Sequence, residues 1–101
     1  MKLEKLVRDR VIEHIKMEGK LPIFHVADQE EYWNKLKEKL IEECQEFVES
    51  ENIEEIADVL EVIDTIIEFK NFKQKNIIKI KDEKSKERGK FKKKIILSKI
   101  L

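Results

Sequence analysis

Residues 41–64 read IEECQEFVESENIEEIADVLEVID, and this stretch decides the fold. At roughly 100° per residue, its first part extends a helical apolar face made by Tyr32, Trp33, Leu36, Leu40, Ile41, Cys44, Phe47 and Val48. Its second part makes another from Ile56, Val59, Leu60, Val62, Ile63, Ile66 and Ile67. Only Ser50-Glu51-Asn52 interrupts the pattern, so the two segments are expected to form an antiparallel helical hairpin. Asn52 followed three residues later by Glu55 is a capping signal for the second helix.

Four acids break the apolar pattern of this hairpin. Glu43 and Glu46, and again Glu55 and Asp58, are spaced i, i+3, which places each pair on one helical face. Glu43 falls between Leu36, Leu40 and Phe47, with Glu46 at the edge of the arc. Glu55 falls beside Val59 and Val62, with Asp58 at the border. A carboxylate aimed into a core is costly unless a cation neutralises it. The same choice made on two adjacent helices points to a shared divalent cation. The spacing by itself is common in a chain 44% charged: Glu51 and Glu54 have it, as do Glu61 and Asp64. Glu38, Glu42, Glu49, Glu54 and Glu61 lie mainly on the polar side. A structural ion pair between a buried Glu and a Lys or Arg is the competing reading.

Outward from the hairpin, Asp28 with Glu31 forms a capping box that starts the first of these helices, which then runs to about Glu49. The second is expected to end near Phe69 to Phe72. An earlier helix is expected over about residues 4–18, with Leu6, Val7, Ile12 and Ile15 inward, ending near Gly19. Residues 20–27, with Leu21-Pro22-Ile23-Phe24, read as an extended connection. A fourth helix over about 74–87 stops at Gly89, where positive φ is permitted. The final FKKKIILSKIL is compatible with a strand, a short helix or a loose arm. The fold class expected is all-α: a helical hairpin completing a four-helix-bundle-type core through oligomerisation.

At 101 residues the chain suits a single domain, 1–101, with one modest core. Two Gly and one Pro argue against a hairpin-rich β fold. No apolar run approaches the about 20 residues of a membrane span, and no signal-peptide pattern opens the chain. A cytoplasmic protein without a membrane partner is the expectation. The single Cys44 forms no internal disulfide or CxxC site, and its place on the apolar arc predicts a buried thiol. His14 and His25 lack partners at metal-ligand spacing, while Tyr32, Trp33 and Phe47 are read as core. The zero net charge hides an asymmetry: residues 1–70 carry −9, and residues 71–101 carry +9. The basic segment suggests a solvated tail, a phosphate-binding element or a nucleic-acid contact. Its few aromatics, Phe72 and Phe91, and the acidic remainder weigh against nucleic acid.

The acids also carry a family resemblance. E-E-x-x-E at Glu42, Glu43 and Glu46, followed by E-x-x-D at Glu55 and Asp58, resembles the signature of the MazG-like all-α nucleoside triphosphate pyrophosphohydrolases. The opening KLVRDRVIEHI (Lys5–Ile15) resembles the KLVRDKIPEII start of the single-domain phosphoribosyl-ATP pyrophosphohydrolase-like group. ERGKF (Glu87–Phe91) resembles that group's ERGGF motif. Together these motifs span about residues 2–97. Ile12 replaces a frequent proline and Lys90 a second glycine, a change that bears on the turn near the expected phosphate-binding strip. The histidine-pathway enzymes proper are only distantly similar, and their substrate is not carried over.

The resemblance implies a nucleotide substrate cleaved between its α- and β-phosphates, releasing a nucleoside monophosphate and pyrophosphate, with non-standard nucleotides as a candidate class. It implies Mg²⁺, for which Mn²⁺ substitutes, held by Glu43, Glu46, Glu55 and Asp58; hard carboxylate oxygens suit that ion. Either Glu43 or Glu46 would activate water. Lys5, Arg8 and Arg88, and more weakly Lys84, would bind phosphates by charge-assisted hydrogen bonds, with Asp9 holding Arg8. The bundle would be completed as a homodimer or homotetramer. Two other functions remain open from sequence: a non-catalytic helical interaction module, and a nucleic-acid-associated protein using the basic tail.

Overall fold

The computed structural model describes residues 4–101; residues 2 and 3, which the resemblance includes, lie outside them. The described residues form four helices and no strand: α1 (Val11–Met17), α2 (Gln29–Ser50), α3 (Ile53–Phe69) and α4 (Gln74–Arg88). The protein is all-α, as its periodicity predicts. None of these helices is long and apolar enough to cross a membrane.

The helix ends follow the local chemistry. The Asp28 carboxylate accepts from the Glu31 N–H at 2.9 Å and starts α2, satisfying a donor that the first helical turn leaves free. The Asn52 side-chain oxygen does the same for the Glu55 N–H at 3.0 Å. Between the two helices Glu51 adopts a left-handed conformation (φ 56°), and its N–H bonds the Phe47 carbonyl at 2.7 Å. Gly19 closes α1 at φ 77°, with the Lys20 N–H on Ile15 O and the Gly19 N–H on Lys16 O, the paired bonds of a Schellman ending. Asn71 plays that part after α3, with φ 58° and the equivalent bonds from Phe72 to Ile67 and from Asn71 to Glu68. α4 stops at Gly89, φ 83°.

Three expectations are corrected. α1 begins at Val11 rather than near residue 4. It lacks a side-chain N-cap, and the preceding Lys5 and Arg8 reach instead for acids on α2 and α3. Cys44 is exposed rather than buried, because the arc it occupies is only partly covered. Ile41 and Val48, its neighbours on that arc, are also exposed. Tyr32, Trp33 and Phe47 are half-buried rather than core.

Two compact units make up the chain, residues 1–66 and residues 67–101; the division falls in the last turn of α3. In the first unit the α2–α3 hairpin buries Leu36 and Val62, the two buried apolar side chains among the described residues. Ile53 and Leu60 on α3 stay exposed. The second unit contains α4 and the basic C-terminal segment. Residues 91–101, open from sequence among a strand, a short helix and a loose arm, form neither a strand nor a helix and are exposed throughout.

Candidate functional site

The capped turn at Glu51-Asn52 sets the register in which α2 and α3 face each other, and with it the meeting of the four acids. One carboxylate oxygen each from Glu43, Glu55 and Asp58 lie within 4.8 Å of one another, and the same holds for Glu42, Glu43 and Glu46. Glu46 lies within hydrogen-bonding reach of Glu55, joining the two groups. The hairpin thus brings Glu43, Glu55 and Asp58 together, with Glu46 in a second group that shares Glu43. It adds Glu42, which the wheel placed on the polar side although the E-E-x-x-E motif contains it.

Glu43 is the most buried of these acids, at 6% exposure, as its place between Leu36, Leu40 and Phe47 predicts. Its Oε2 is buried without a hydrogen-bond partner, and so is Oε2 of the half-buried Glu55. Burial, then repulsion and hydrogen bonding from Glu46, then the charges of Asp58 and Glu43, raise the Glu55 carboxyl above its ordinary pKa. A buried oxygen without a partner is costly. Two of them facing a cluster of like charge make a donor set that fits a hard divalent cation, which takes carboxylate oxygens.

Cations of the chain already approach this cluster. Lys39 Nζ lies 3.2 Å from Glu43 Oε1 and 3.6 Å from Glu42 Oε2, with a side chain only 17% exposed. This is the structural ion pair that the sequence left as the competing reading, and it occupies one oxygen of Glu43 while leaving the other bare. Lys5 Nζ lies 3.3 Å from Glu42. Arg8 reaches Asp58 at 2.8 Å and Glu61 at 3.6 Å; these acids on α3, rather than Asp9, orient its guanidinium. Lys5 and Arg8 therefore lie against the acids. Lys84 and Arg88 stand one turn apart on α4, in the second unit.

Comparison with protein-family models, curated proteins and solved structures finds no match. The site is therefore read from its own residues and from the motifs quoted above.

Sequence reasoning passed over Lys39. The signal was present, since Lys39 and Glu43 are spaced i, i+4 on α2 and such pairs meet on a helix. His25, read as without a ligand role, has Nε2 2.9 Å from Glu31, beside the α2 cap and with a single carboxylate.

Proposed function

We propose that the protein is a divalent-cation-dependent nucleotide pyrophosphohydrolase of the MazG-like all-α type, hydrolysing the α–β phosphate bond of a nucleotide to give a nucleoside monophosphate and pyrophosphate. The observation that carries this reading is the convergence of Glu43, Glu55 and Asp58 with two buried oxygens lacking partners. Glu43, Glu46, Glu55 and Asp58 would hold Mg²⁺, with Mn²⁺ as its substitute. Such an ion neutralises a polyphosphate and lowers the pKa of water.

The remaining work falls to the chain's own side chains. Glu46, within reach of the raised-pKa Glu55, and the buried Glu43 are the candidates to take the proton of the attacking water. Lys5 and Arg8, now on Glu42 and Asp58, carry charges suited to substrate phosphates, and Arg88 and Lys84 are further candidates from the second unit. The partly covered apolar faces of α2 and α3 support a homodimer or homotetramer, since exposed apolar surface of this kind favours a symmetric contact. Cytoplasmic placement and house-cleaning of non-standard nucleotides belong to the same proposal.

A second reading has one observation in its favour. The Lys39–Glu43 pair shows that the most buried acid already has a counter-ion, as a non-catalytic helical interaction module would require. One experiment separates the two: the purified protein is incubated with canonical and modified nucleotides plus Mg²⁺, and pyrophosphate release is measured. Release that depends on Mg²⁺ supports the hydrolase. Its absence across the panel, with the protein folded, favours the interaction module.

A further inference from the structure

Lys39 stands at the boundary of two features. On one side is Glu43, whose Oε1 it contacts at 3.2 Å and whose Oε2 is buried without a partner. On the other is an open groove of about 250 Å³ lined by Glu4, Lys5, Leu6, Lys35, Glu38, Lys39 and Glu42. Three ammonium groups line that groove, and each is matched to a glutamate: Lys5 to Glu42, Lys35 to Glu38, Lys39 to Glu42 and Glu43. Glu43 is more than nine-tenths buried, so its charge must be balanced locally. Lys39 and a divalent cation would supply the same balance to the same carboxylate, and their like charges oppose joint occupancy at short range.

We infer that Lys39 is an exchangeable counter-ion: it offsets Glu43 in the cation-free protein and turns into the groove to contact an oligophosphate when a divalent cation takes over Glu43. This inference rests on the proposed cation site and deepens it. The ammonium is suited to such an exchange. It is a compact charge on a flexible four-carbon stem, and unlike a guanidinium it is not committed to a bidentate geometry. Divalent cation and oligophosphate then favour each other's binding, because each removes a partner that the other must displace. Binding to the cation alone is held weak, and a substrate already carrying phosphates completes the site.

The test uses the full chain with Lys39→Gln, which removes the charge but keeps a hydrogen-bond donor for Glu43, and Lys39→Met as a second variant, both checked for helical content by circular dichroism. Calorimetry measures Mn²⁺ alone and, separately, inorganic pyrophosphate with Mn²⁺ in excess, the condition in which Lys39 is released from Glu43. Loss of the competing charge should tighten Mn²⁺ binding roughly tenfold, and loss of a charge-assisted contact should weaken pyrophosphate binding roughly tenfold. Opposite changes in the two affinities support the exchange. A parent that binds Mn²⁺ and variants that bind it equally or more weakly overturn the inference while leaving the cation site in place. A parent that binds no Mn²⁺, with or without a nucleotide, overturns the inference and the cation site together. Variants too unfolded to bind, but restored to the parent's helicity by Mn²⁺, support the inference; variants that Mn²⁺ does not restore make Lys39 a structural ion-pair partner and overturn it.

Discussion

Arg8 places its guanidinium 2.8 Å from Oδ1 of Asp58, tying the segment ahead of α1 to the middle of α3 across 50 positions of sequence. The contact joins a residue that the family resemblance would give to phosphate with one that it would give to metal. Arg8 and a bound cation would draw on the same carboxylate.

Replacing Arg8 by Ala separates these roles. Both partners are substantially exposed, so stability should change by no more than about 1 kcal/mol. Nucleotide affinity or turnover should fall roughly 10- to 150-fold, the loss typical of a charge-assisted contact. Cation affinity, freed of competition at Asp58, should hold or rise. Calorimetry and pyrophosphate release read both quantities. Parent-like hydrolysis would make Arg8 a structural tie, and the same comparison on Arg88→Ala and Lys84→Ala tests the α4 pair.

Glu55→Gln should act oppositely on fold and function. Removing one charge from the cluster relieves repulsion, so the variant should melt higher than the parent in chelator. Mg²⁺ or Mn²⁺ should raise the melting temperature of the parent, because the cation binds the folded state preferentially, and should raise that of the variant less. Glu43→Gln and Asp58→Asn should abolish turnover. A parent whose melting temperature ignores both ions, even with nucleotide present, would remove the main support for the site.

The raised pKa of Glu55 sets a pH dependence of stability. The folded protein holds this proton more tightly than the unfolded chain, so the cost of the charged form is absent below the ordinary carboxylate pKa. It is fully present above the raised, folded pKa. The Glu55 contribution to stability in chelator should therefore fall as pH rises through that window. Saturating Mg²⁺ should remove the fall, and binding measured inside the window should release protons. Melting curves of the parent and Glu55→Gln across the window isolate this contribution; equal slopes for the two proteins would refute it.

Assembly is open to measurement through the apolar side chains left exposed on the hairpin. Ile41, Val48, Ile53 and Leu60 are each more than half exposed, while Leu36 and Val62 alone among the described residues are buried apolar groups. Sedimentation should give a mass at least twice the 12.2 kDa of the chain. Ile41→Glu or Ile53→Glu should lower that mass and the melting temperature together. A well-folded monomer at micromolar concentration would count against the dimer or tetramer.

Much of the site was legible because it depends on local signals. The Asp28 and Asn52 caps and the 3.6-residue periodicity marked out the hairpin, as Gly19 and Gly89 marked the ends of α1 and α4. The hairpin in turn fixed which acids meet. Glu43 was readable as buried because three apolar residues surround it on the wheel. What escaped depends on contacts between distant parts of the chain. Lys5 and Arg8 pair with Glu42 and Asp58 ahead of a shorter α1, and no local pattern signals those pairs. Cys44 sits on an apolar arc, but an arc states only what favours burial and not whether anything covers it.

The two-residue turn at Glu51-Asn52 also bears on how the gene can vary. Each residue of a helix turns the next by about 100°, so a single codon inserted or deleted here would rotate Glu55 and Asp58 away from Glu43 while leaving both helices able to form. Substitution is far better tolerated: Glu51 needs only a residue at ease in the left-handed region, which glycine or asparagine supplies. Related chains that keep this site should therefore differ freely in the letters of the turn and hardly at all in its length, unless a longer connection restores the same facing of the two helices.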